Sequence, residues 1–191
     1  MQQKWEKYYQ ANNYFHLDAH ESLEQFVNKC DQLDYSKILD LGCGAGADML
    51  FLAEKGFEVV GVDFSPSAAA NAEDLLQSKG LEGKVYVDNL FDSITNFTPE
   101  EFQGVIAINS LEYTSLEIFK SSLEQVADLL VPKGLFLLVV PSGQTEINPD
   151  FKEQLFFDEE DLSELVSGKF NILDFSQDKN NCYSLLLQKK F

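Results

Sequence analysis

Ile38-Leu39-Asp40-Leu41-Gly42-Cys43-Gly44-Ala45-Gly46 is the stretch of the sequence that decides the fold. Its apolar residues predict a buried strand, and the segment after it, Asp48 to Lys55, predicts a helix that ends at Gly56. Glycines between a strand and a helix allow a sharp turn and let a ligand approach the backbone closely. The N-terminus of the helix also offers free amide donors. The stretch therefore predicts a ligand site at a strand-to-helix turn.

A second acidic residue, Asp63, stands at the end of the next predicted strand, Phe57 to Val62. Ser65-Pro66 follows as a helix start, with Ser as the N-cap and Pro in the first turn. At the carboxyl end of a parallel strand, a carboxylate in this position accepts both hydroxyls of a ribose. A tight turn without a ligand is the plainer alternative, but such a turn requires neither three alternating glycines nor two acids.

Dinucleotide binding is the more specific alternative, because the sequence also fits a known fingerprint for it. Gly42, Gly44 and Ala47 satisfy the loose fingerprint G-x-G-x-x-G/A, and Asp63 follows about 20 residues later, as that motif requires. Asp40 weighs against this reading, because a carboxylate before the turn would repel a pyrophosphate but would suit an ammonium group. The chain also lacks a second mononucleotide-binding half and a separate substrate domain. An NAD-dependent oxidoreductase therefore stays as a minor alternative.

Short apolar strands alternate with amphipathic helices through the middle of the chain. Thr98-Pro99-Glu100-Glu101 has the form of a capping box and predicts a short turn of helix. A later helix is broken by Pro132-Lys133-Gly134. The further strands predicted in this part are Val85–Val87, Val105–Ile108 and Leu135–Val140. This alternation requires crossover connections, and therefore a parallel sheet with helices on both faces.

The C-terminal part has a different order. Asp158–Asp161 opens a helix that ends near Gly168, and two strands follow, Phe170–Phe175 and Cys182–Gln188. The turn between them, Asp178–Asn181, is too short for a crossover helix, so this pair must be antiparallel. We therefore predict an α/β fold, a doubly wound parallel sheet closed by an antiparallel hairpin.

Composition limits the partners and the compartment. The 191 residues fit one domain, and the formal net charge is -18. Such a surface repels phosphate backbones and anionic lipid, so we expect neither nucleic acid nor a membrane as a partner. We find no signal peptide and no bilayer-spanning run. Cys30, Cys43 and Cys182 are odd in number and widely spaced, which indicates reduced thiols and a cytoplasmic location.

Residues 38–46 resemble the first motif of the class I S-adenosylmethionine-dependent methyltransferases, in the form hLD(L/V)GCGxG. The stretch from Asp48 through Asp63-Phe64-Ser65 further resembles the small-molecule enzymes of the tellurite-resistance and thiopurine type. The similarity extends over nearly the whole chain from about Lys37. It implies a Rossmann-like, seven-stranded sheet in the order 3-2-1-4-5-7-6 with strand 7 antiparallel. It also implies S-adenosylmethionine as the cofactor, with S-adenosylhomocysteine as its product.

The resemblance also implies roles for individual residues. Asp40 would face the methionine ammonium, the backbone of 42–46 would approach the methionine and the ribose, and Asp63 would hold the ribose hydroxyls. Phe64 would pack on the adenine, and Asp88 with Asn89 would meet the adenine amine, with Asp92 as an alternative acid. The full set of implied cofactor-binding residues is Asp40, Gly42, Cys43, Gly44, Gly46, Asp63, Phe64, Asp88, Asn89 and Asn109.

The methyl acceptor is open at this stage. Ser110-Leu111-Glu112-Tyr113 resembles a common (V/S)L(E/H)H element, but Tyr113 stands where many members carry His. Gln103-Gly104 stands where relatives usually have an acid. We expect methyl transfer to a small-molecule acceptor, and because no general base is identified, an inactive cofactor-binding protein is the alternative. The protein would be a monomer or a homodimer.

The N-terminal segment, residues 1–35, is expected to be helical, as a packing segment or as a lid on the single domain. Its aromatic residues are Trp5, Tyr8, Tyr9, Tyr14 and Phe15. His16 and His20 are spaced i,i+4, but without an evident third ligand we expect no metal site. Either histidine is a candidate base. The segment Pro141–Phe157 is expected to contact the substrate, since long connections at the ligand edge often shape a pocket.

Overall fold

A computed structural model describes residues 2–11, 18–145 and 154–191. Within these ranges no helix is both long and apolar enough to cross a bilayer. The helices are α1 (Gln2–Ala11), α2 (Leu23–Gln32), α3 (Ala47–Glu54), α4 (Pro66–Ser78), α5 (Leu90–Ser93), α6 (Leu116–Leu129) and α7 (Glu159–Ser167). The strands are β1 (Lys37–Leu41), β2 (Glu58–Asp63), β3 (Lys84–Val87), β4 (Phe102–Ile108), β5 (Leu130–Pro141), β6 (Phe170–Gln177) and β7 (Cys182–Lys189).

The strands form one seven-stranded sheet in the order β3-β2-β1-β4-β5-β7-β6. β1 pairs in parallel with β2 and β4, β2 pairs in parallel with β3, and β4 with β5. β7 runs antiparallel to both β5 and β6. The predicted fold, including the order of the strands and the antiparallel strand 7, is confirmed.

The core is divided between the two faces of this sheet. Successive residues of a strand point to opposite faces. In β1, Ile38 packs in one apolar cluster with Phe26 and Met49, while Leu39 packs in the other with Phe102. A slip of one residue in the pairing of β1 would exchange these two environments, so burial on both faces fixes the register. The register in turn fixes where Asp40 and the glycine turn emerge.

The predicted start of α4 is confirmed. Ser65 is its N-cap, the Ser65 Oγ accepts a hydrogen bond from the backbone N of Ala68 at 3.1 Å, and Pro66 occupies the first turn. An N-cap of this kind stabilises a helix by about 1 kcal/mol. It also fixes the exit of the chain from β2, and therefore the position of Asp63.

The helical turn predicted at residues 98–101 is wrong. The Glu101 Oε2 does accept a hydrogen bond from the backbone N of Thr98 at 3.0 Å, which is one of the two bonds of a capping box. Glu100, however, has a φ of 58°, and β4 begins at Phe102. The backbone therefore leaves the turn as a strand, and the other oxygen of Glu101, Oε1, pairs with the Lys37 Nζ at 2.9 Å.

The break predicted at Pro132-Lys133-Gly134 lies inside a strand rather than between a helix and a strand. α6 ends at Leu129 and β5 begins at Leu130. Lys133 has a φ of 64°, and the pairing of β5 with β4 shifts register across this stretch. The irregular residues therefore form a bulge near the start of β5, and regular pairing resumes at Leu135.

Candidate functional site

The glycine turn joins β1 to α3 through three glycines with positive φ. The φ values are 81° at Gly42, 52° at Gly44 and 86° at Gly46, which side-chain-bearing residues rarely adopt. The backbone N–H groups of Gly42 and Cys43 both donate to the Val62 carbonyl, at 2.8 and 3.0 Å, which ties the turn to β2. The wall of the site is therefore bare backbone held in a fixed position.

Asp40 is a buried carboxyl at the base of this turn. It is 2% exposed, and its Oδ2 has no hydrogen-bond partner among the described residues. Burial raises the pKa of Asp40 well above its ordinary value, and the neighbouring Asp48 and Asp63 raise it further. A buried carboxylate is costly unless it is paired, so this position is suited to a ligand cation such as an ammonium group.

Asp48 lies beside Asp40 in the first turn of α3. Its Oδ1 accepts a hydrogen bond from the backbone N of His20 at 2.8 Å, and this bond ties the segment before α2 to the glycine turn. Burial raises the pKa of Asp48, while the contacts with His20 lower it. The two acids therefore lie together at the bottom of the site, where a ligand cation would favour their charged forms.

Asp63 is held by two backbone amides. Its Oδ2 accepts from the Gly44 N at 3.0 Å, and its Oδ1 accepts from the Ser65 N at 2.9 Å. Burial raises the pKa of Asp63, although these two hydrogen bonds oppose that effect. Each carboxylate oxygen can accept a second hydrogen bond, so both remain able to receive hydroxyls of a ligand.

A pocket of about 510 Å³ opens at the carboxyl ends of the strands above this turn. Ring contacts cross it: the Trp5 and Tyr113 centroids lie 5.3 Å apart, edge to face, and those of Trp5 and Tyr9 lie 6.0 Å apart, stacked. Its lining residues are Gln2, Trp5, Tyr9, Gly42, Asp63, Phe64, Val87, Asp88, Asn89, Leu90, Phe91, Asn109, Ser110 and Tyr113.

Six of the ten predicted cofactor residues line this pocket and four lie behind its surface. Cys43 is one of the four. It is 7% exposed, and its Sγ packs against Gly61, since a Cβ added to Gly61 would lie 2.9 Å from that sulfur. Gly46 packs against Ala72 of α4. The six that line the pocket are Gly42, Asp63, Phe64, Asp88, Asn89 and Asn109, and the four behind it are Asp40, Cys43, Gly44 and Gly46.

At the far end of the pocket, Asp88 and Asn89 follow β3. The Asp88 carboxylate accepts from the Asn89 N at 2.7 Å and from the Asn96 Nδ2 at 3.1 Å. Asn89 is the N-cap of α5, where its Oδ1 accepts from the Phe91 N at 3.2 Å. Asp92 contacts the Asn89 Nδ2 and does not line the pocket. Of the two acids considered, Asp88 therefore has the better position for a ligand.

Asn109 and Ser110 form the boundary where β1 and β4 diverge. Asn109 has a φ of 50°, and its backbone N donates to the Val139 carbonyl at 3.0 Å. The Ser110 Oγ donates to the Leu41 carbonyl at 2.6 Å. A side chain on Gly42 would come within 2.4 Å of the Ser110 Cβ, which explains the glycine there. The sequence did not indicate the role of Ser110, since no local pattern signals this close approach.

Glu112, just beyond this boundary, is fully buried. Its Oε1 accepts from the Gln154 Nε2 at 3.3 Å, and its Oε2 has no partner among the described residues. Burial raises the pKa of Glu112 to about 8. The next residue, Tyr113, lines the pocket, and burial raises the pKa of its hydroxyl. Glu112 is thus a largely neutral carboxyl at neutral pH.

His20 is engaged in structural contacts. Its Nε2 lies 3.7 Å from the Asp178 Oδ2, and its Nδ1 accepts from the Ser22 N at 3.3 Å. His16, Tyr14 and Phe15 lie outside the described residues, as do residues 146–153 of the expected substrate segment. Within the part that the structure describes, no three His, Cys, Asp or Glu side chains form a metal-binding group.

Known proteins share both the sequence and the fold. "Putative methyltransferase YqeM" of Bacillus subtilis is 32% identical over 161 residues, which cover 80% of this chain and 62% of that protein. The 2-heptyl-1-hydroxyquinolin-4(1H)-one methyltransferase of Mycobacteroides abscessus is 27% identical, over 74% of this chain and 62% of its own length. The chain therefore spans less than two thirds of either relative.

Solved structures agree with the topology. TehB from Haemophilus influenzae superposes with a TM-score of 0.72 at 18% identity, covering 98% of this chain and 67% of that one. A Methanosarcina mazei methyltransferase described as SAM-dependent gives 0.73 at 21% identity, over 92% of this chain and 100% of that one. The sequence model of the family described as "Methyltransferase domain" matches residues 38–134, from β1 to the start of β5. The chain therefore belongs to this family, within the class I S-adenosylmethionine-dependent methyltransferases.

Proposed function

We propose that this protein transfers a methyl group from S-adenosylmethionine to a small-molecule acceptor. The observation that carries the proposal is the pocket at the glycine turn, which the Gly42 backbone and the amide-held Asp63 line and behind which the buried Asp40 lies. When bound, S-adenosylmethionine supplies an electrophilic methyl group on a sulfonium. The chain then has to bind the cofactor, orient the acceptor and exclude water.

Three parts of the pocket fit three parts of the cofactor. Asp40, with its unpartnered Oδ2, would pair with the ammonium of the methionine moiety, and Asp48 adds negative charge beside it. Asp63 would accept the ribose hydroxyls. Phe64 and Asp88 line the far end, where a flat base and its amine would lie.

Water exclusion would come from the aromatic rings at the near end. Trp5 and Tyr113 contact each other edge to face above the pocket. Aromatic faces stabilise a cation once water is removed, so they suit a sulfonium. A thiolate or amine acceptor would then need no protein base. A hydroxyl acceptor would need one, and Glu112 is the buried carboxyl nearest in sequence to the pocket-lining Tyr113.

Charge favours a small molecule over RNA as the acceptor. Two relatives are named as ribosomal RNA methyltransferases: the small subunit methyltransferase C of Alcanivorax borkumensis matches 30% of this chain, and the 18S rRNA (guanine-N(7))-methyltransferase bud23 of Schizosaccharomyces pombe matches 55%. The formal net charge of -18 opposes a phosphate backbone, and the charged side chains that line the described pocket are Asp63 and Asp88. A protein that binds the cofactor without catalysis is the alternative, because no base is assigned.

A comparison of melting temperatures with S-adenosylhomocysteine and with NAD tests the cofactor. At 100-fold excess over its Kd, a ligand adds about 2.7 kcal/mol of stability, and for a chain of this size that is a shift of about 5–10 °C. We expect that shift with S-adenosylhomocysteine and none with NAD. No shift with millimolar S-adenosylhomocysteine would refute the proposal.

Substitution of Asp63 tests the assignment of the ribose site. Asp63→Ala and the near-isosteric Asp63→Asn should both lose most of the shift, while Asp74→Ala, at an exposed position of α4, should keep it. Melting without ligand checks that each variant is folded. An unchanged shift in Asp63→Asn would contradict the ribose assignment. Consumption of S-adenosylmethionine in a mixed metabolite pool then separates an enzyme from an inactive binding protein.

A further inference from the structure

α1 lies across the mouth of the pocket, and none of its residues enters the core. Gln2, Trp5 and Tyr9 line the pocket, but α1 contributes no fully buried residue. The Tyr9 hydroxyl lies directly over the glycine turn, because a side chain on Gly44 would come within 2.5 Å of it. Elements with few buried contacts open at low free energy. α1 therefore has the properties of a cover that can separate from the domain.

The Glu6 carboxylate makes three hydrogen bonds from α1 to the start of α4. The Glu6 Oε2 accepts from the Ser65 Oγ at 2.6 Å and from the Ser67 N at 3.2 Å. Its Oε1 accepts from the Ser67 Oγ at 2.6 Å and from the Gln10 Nε2 of its own helix at 2.7 Å. A carboxylate at the first turn of α4 also meets the positive end of that helix. These hydrogen bonds lower the pKa of Glu6 to about 2, so it stays ionised.

The place of attachment matters as much as its strength. Ser65 is the N-cap of α4 and donates its backbone N–H to Asp63, the proposed ribose carboxylate. Beside it, the Gln2 Nε2 donates to the Phe64 carbonyl at 2.9 Å. Glu6 and Gln2 thus fasten α1 to the two residues that follow Asp63. When these bonds are made, the helix covers the ligand at the point where the ligand is held.

We propose that Glu6 is a latch that holds α1 closed over the bound cofactor and limits the rate at which S-adenosylhomocysteine leaves. This inference rests on the proposed function, because it assumes that the pocket holds the cofactor. Opening exchanges the hydrogen bonds to Ser65 and Ser67 for bonds to water and separates Trp5 from Tyr113. Glu6 is a positioning residue in this proposal and takes no part in the chemistry.

The chain contains one tryptophan, and it lies in α1, so its fluorescence reports directly on the cover. The experiment uses the full chain with S-adenosylhomocysteine as the probe. Stopped-flow displacement gives the release rate, and the Trp5 emission maximum gives the position of α1. The variants are Glu6→Ala and Ser67→Ala. The matched control is Glu73→Ala, which removes an exposed carboxylate from α4 away from the latch.

We expect Glu6→Ala to release S-adenosylhomocysteine about tenfold faster, because the hydrogen bonds from Ser65 and Ser67 that hold α1 closed are lost. Ser67→Ala should give a smaller increase, and Glu73→Ala none. Trp5 emission should shift to the red in Glu6→Ala. Unchanged release and emission in Glu6→Ala would overturn the latch while leaving the proposed function intact. If the unmodified protein fails to bind S-adenosylhomocysteine, the proposed function itself fails, and the latch with it.

Discussion

The carboxyl edge of the sheet has two halves that hold their buried acids differently. In the β1–β3 half, Asp63 is fixed by backbone amides of Gly44 and Ser65, which lie 19 and 2 residues away in the sequence. In the β4–β7 half, Glu112 meets Gln154, 42 residues away, through one side-chain contact. Asp63 is therefore held by backbone groups, which do not depend on the identity of a neighbouring side chain. Glu112 is held by the side chain of Gln154, which a substitution can remove without altering the fold.

The largest effect that we predict tests the rigidity of the β1–β3 half. Gly46→Ala would place a Cβ 2.7 Å from the Ala72 Cβ and 2.8 Å from its Cα, at a φ of 86°. Backbone strain of about 1–2 kcal/mol and overpacking of about 1–3 kcal/mol together predict a loss of about 4 kcal/mol. Urea denaturation measures this loss.

Gly56→Ala is the matched control for that substitution. It has a φ of 92° but nothing within 4 Å of a new Cβ, so it should lose only the backbone strain, about 1–2 kcal/mol. Equal losses at the two positions would show that the packing of the turn against α4 contributes nothing.

The next effect concerns the pH dependence of the β4–β7 half. The folded pKa of Glu112 is about 8, against an ordinary value of 4.5, because burial disfavours its charge. Because the folded state binds the Glu112 proton more tightly than the unfolded state does, this group contributes its full stabilisation below pH 4.5. The stabilisation is lost as the pH rises through 8. Between pH 5 and pH 8 the unmodified protein should therefore lose about 3 kcal/mol through this group.

Glu112→Gln should remove that loss, so the difference in unfolding free energy between pH 5 and pH 8 should be smaller in the variant. Cys182, which interacts with Glu112, has a pKa raised by burial to about 11 and stays neutral in this window. Chemical denaturation at the two pH values measures the difference. The same slope in both proteins would show that Glu112 is ionised in the folded state.

The smallest effect tests whether the two halves are independent in binding. Asp40→Asn removes the carboxyl that would become charged when it pairs with the proposed ammonium, and hydrogen bonds to charged groups are worth about 1.5–3 kcal/mol, so the affinity for S-adenosylhomocysteine should fall about 30-fold. Glu112→Gln should change it by no more than about twofold, since neither Glu112 oxygen lines the pocket. Titration calorimetry with S-adenosylhomocysteine measures the affinity of both variants. Equal losses of affinity in the two variants would mean that the acids of both halves affect the bound ligand to the same extent.

The fold was predictable because each of its signals is local. The strand before Gly42, the Ser65-Pro66 helix start and the short turn at 178–181 each act over a few residues. Family membership also confirms the expected cofactor, S-adenosylmethionine. The capping-box pattern at 98–101 was misleading, because the chain pairs with the sheet as a strand from Phe102 onward. A helix signal of four residues is too weak to oppose pairing along β4.

The site was predictable only in part, for the same reason. Glycines with positive φ and acids at strand ends leave a mark in the sequence, whereas the rings of Trp5 and Tyr113 meet across more than one hundred residues. The latch at Glu6 likewise joins residues that are 59 and 61 positions apart in the sequence. The expected single domain, the roles of the ten cofactor residues and the small-molecule acceptor stay predictions.

The contact between Gly46 and Ala72 has a consequence for how this sequence can evolve. Any side chain at position 46, or one larger than alanine at position 72, would fill the space that the other position requires. The two positions are 26 residues apart, yet the backbone of α4 excludes every side chain from position 46, because the Ala72 Cα would lie 2.8 Å from a new Cβ. Drift in α4 is therefore restrained by a turn that it does not adjoin in the sequence.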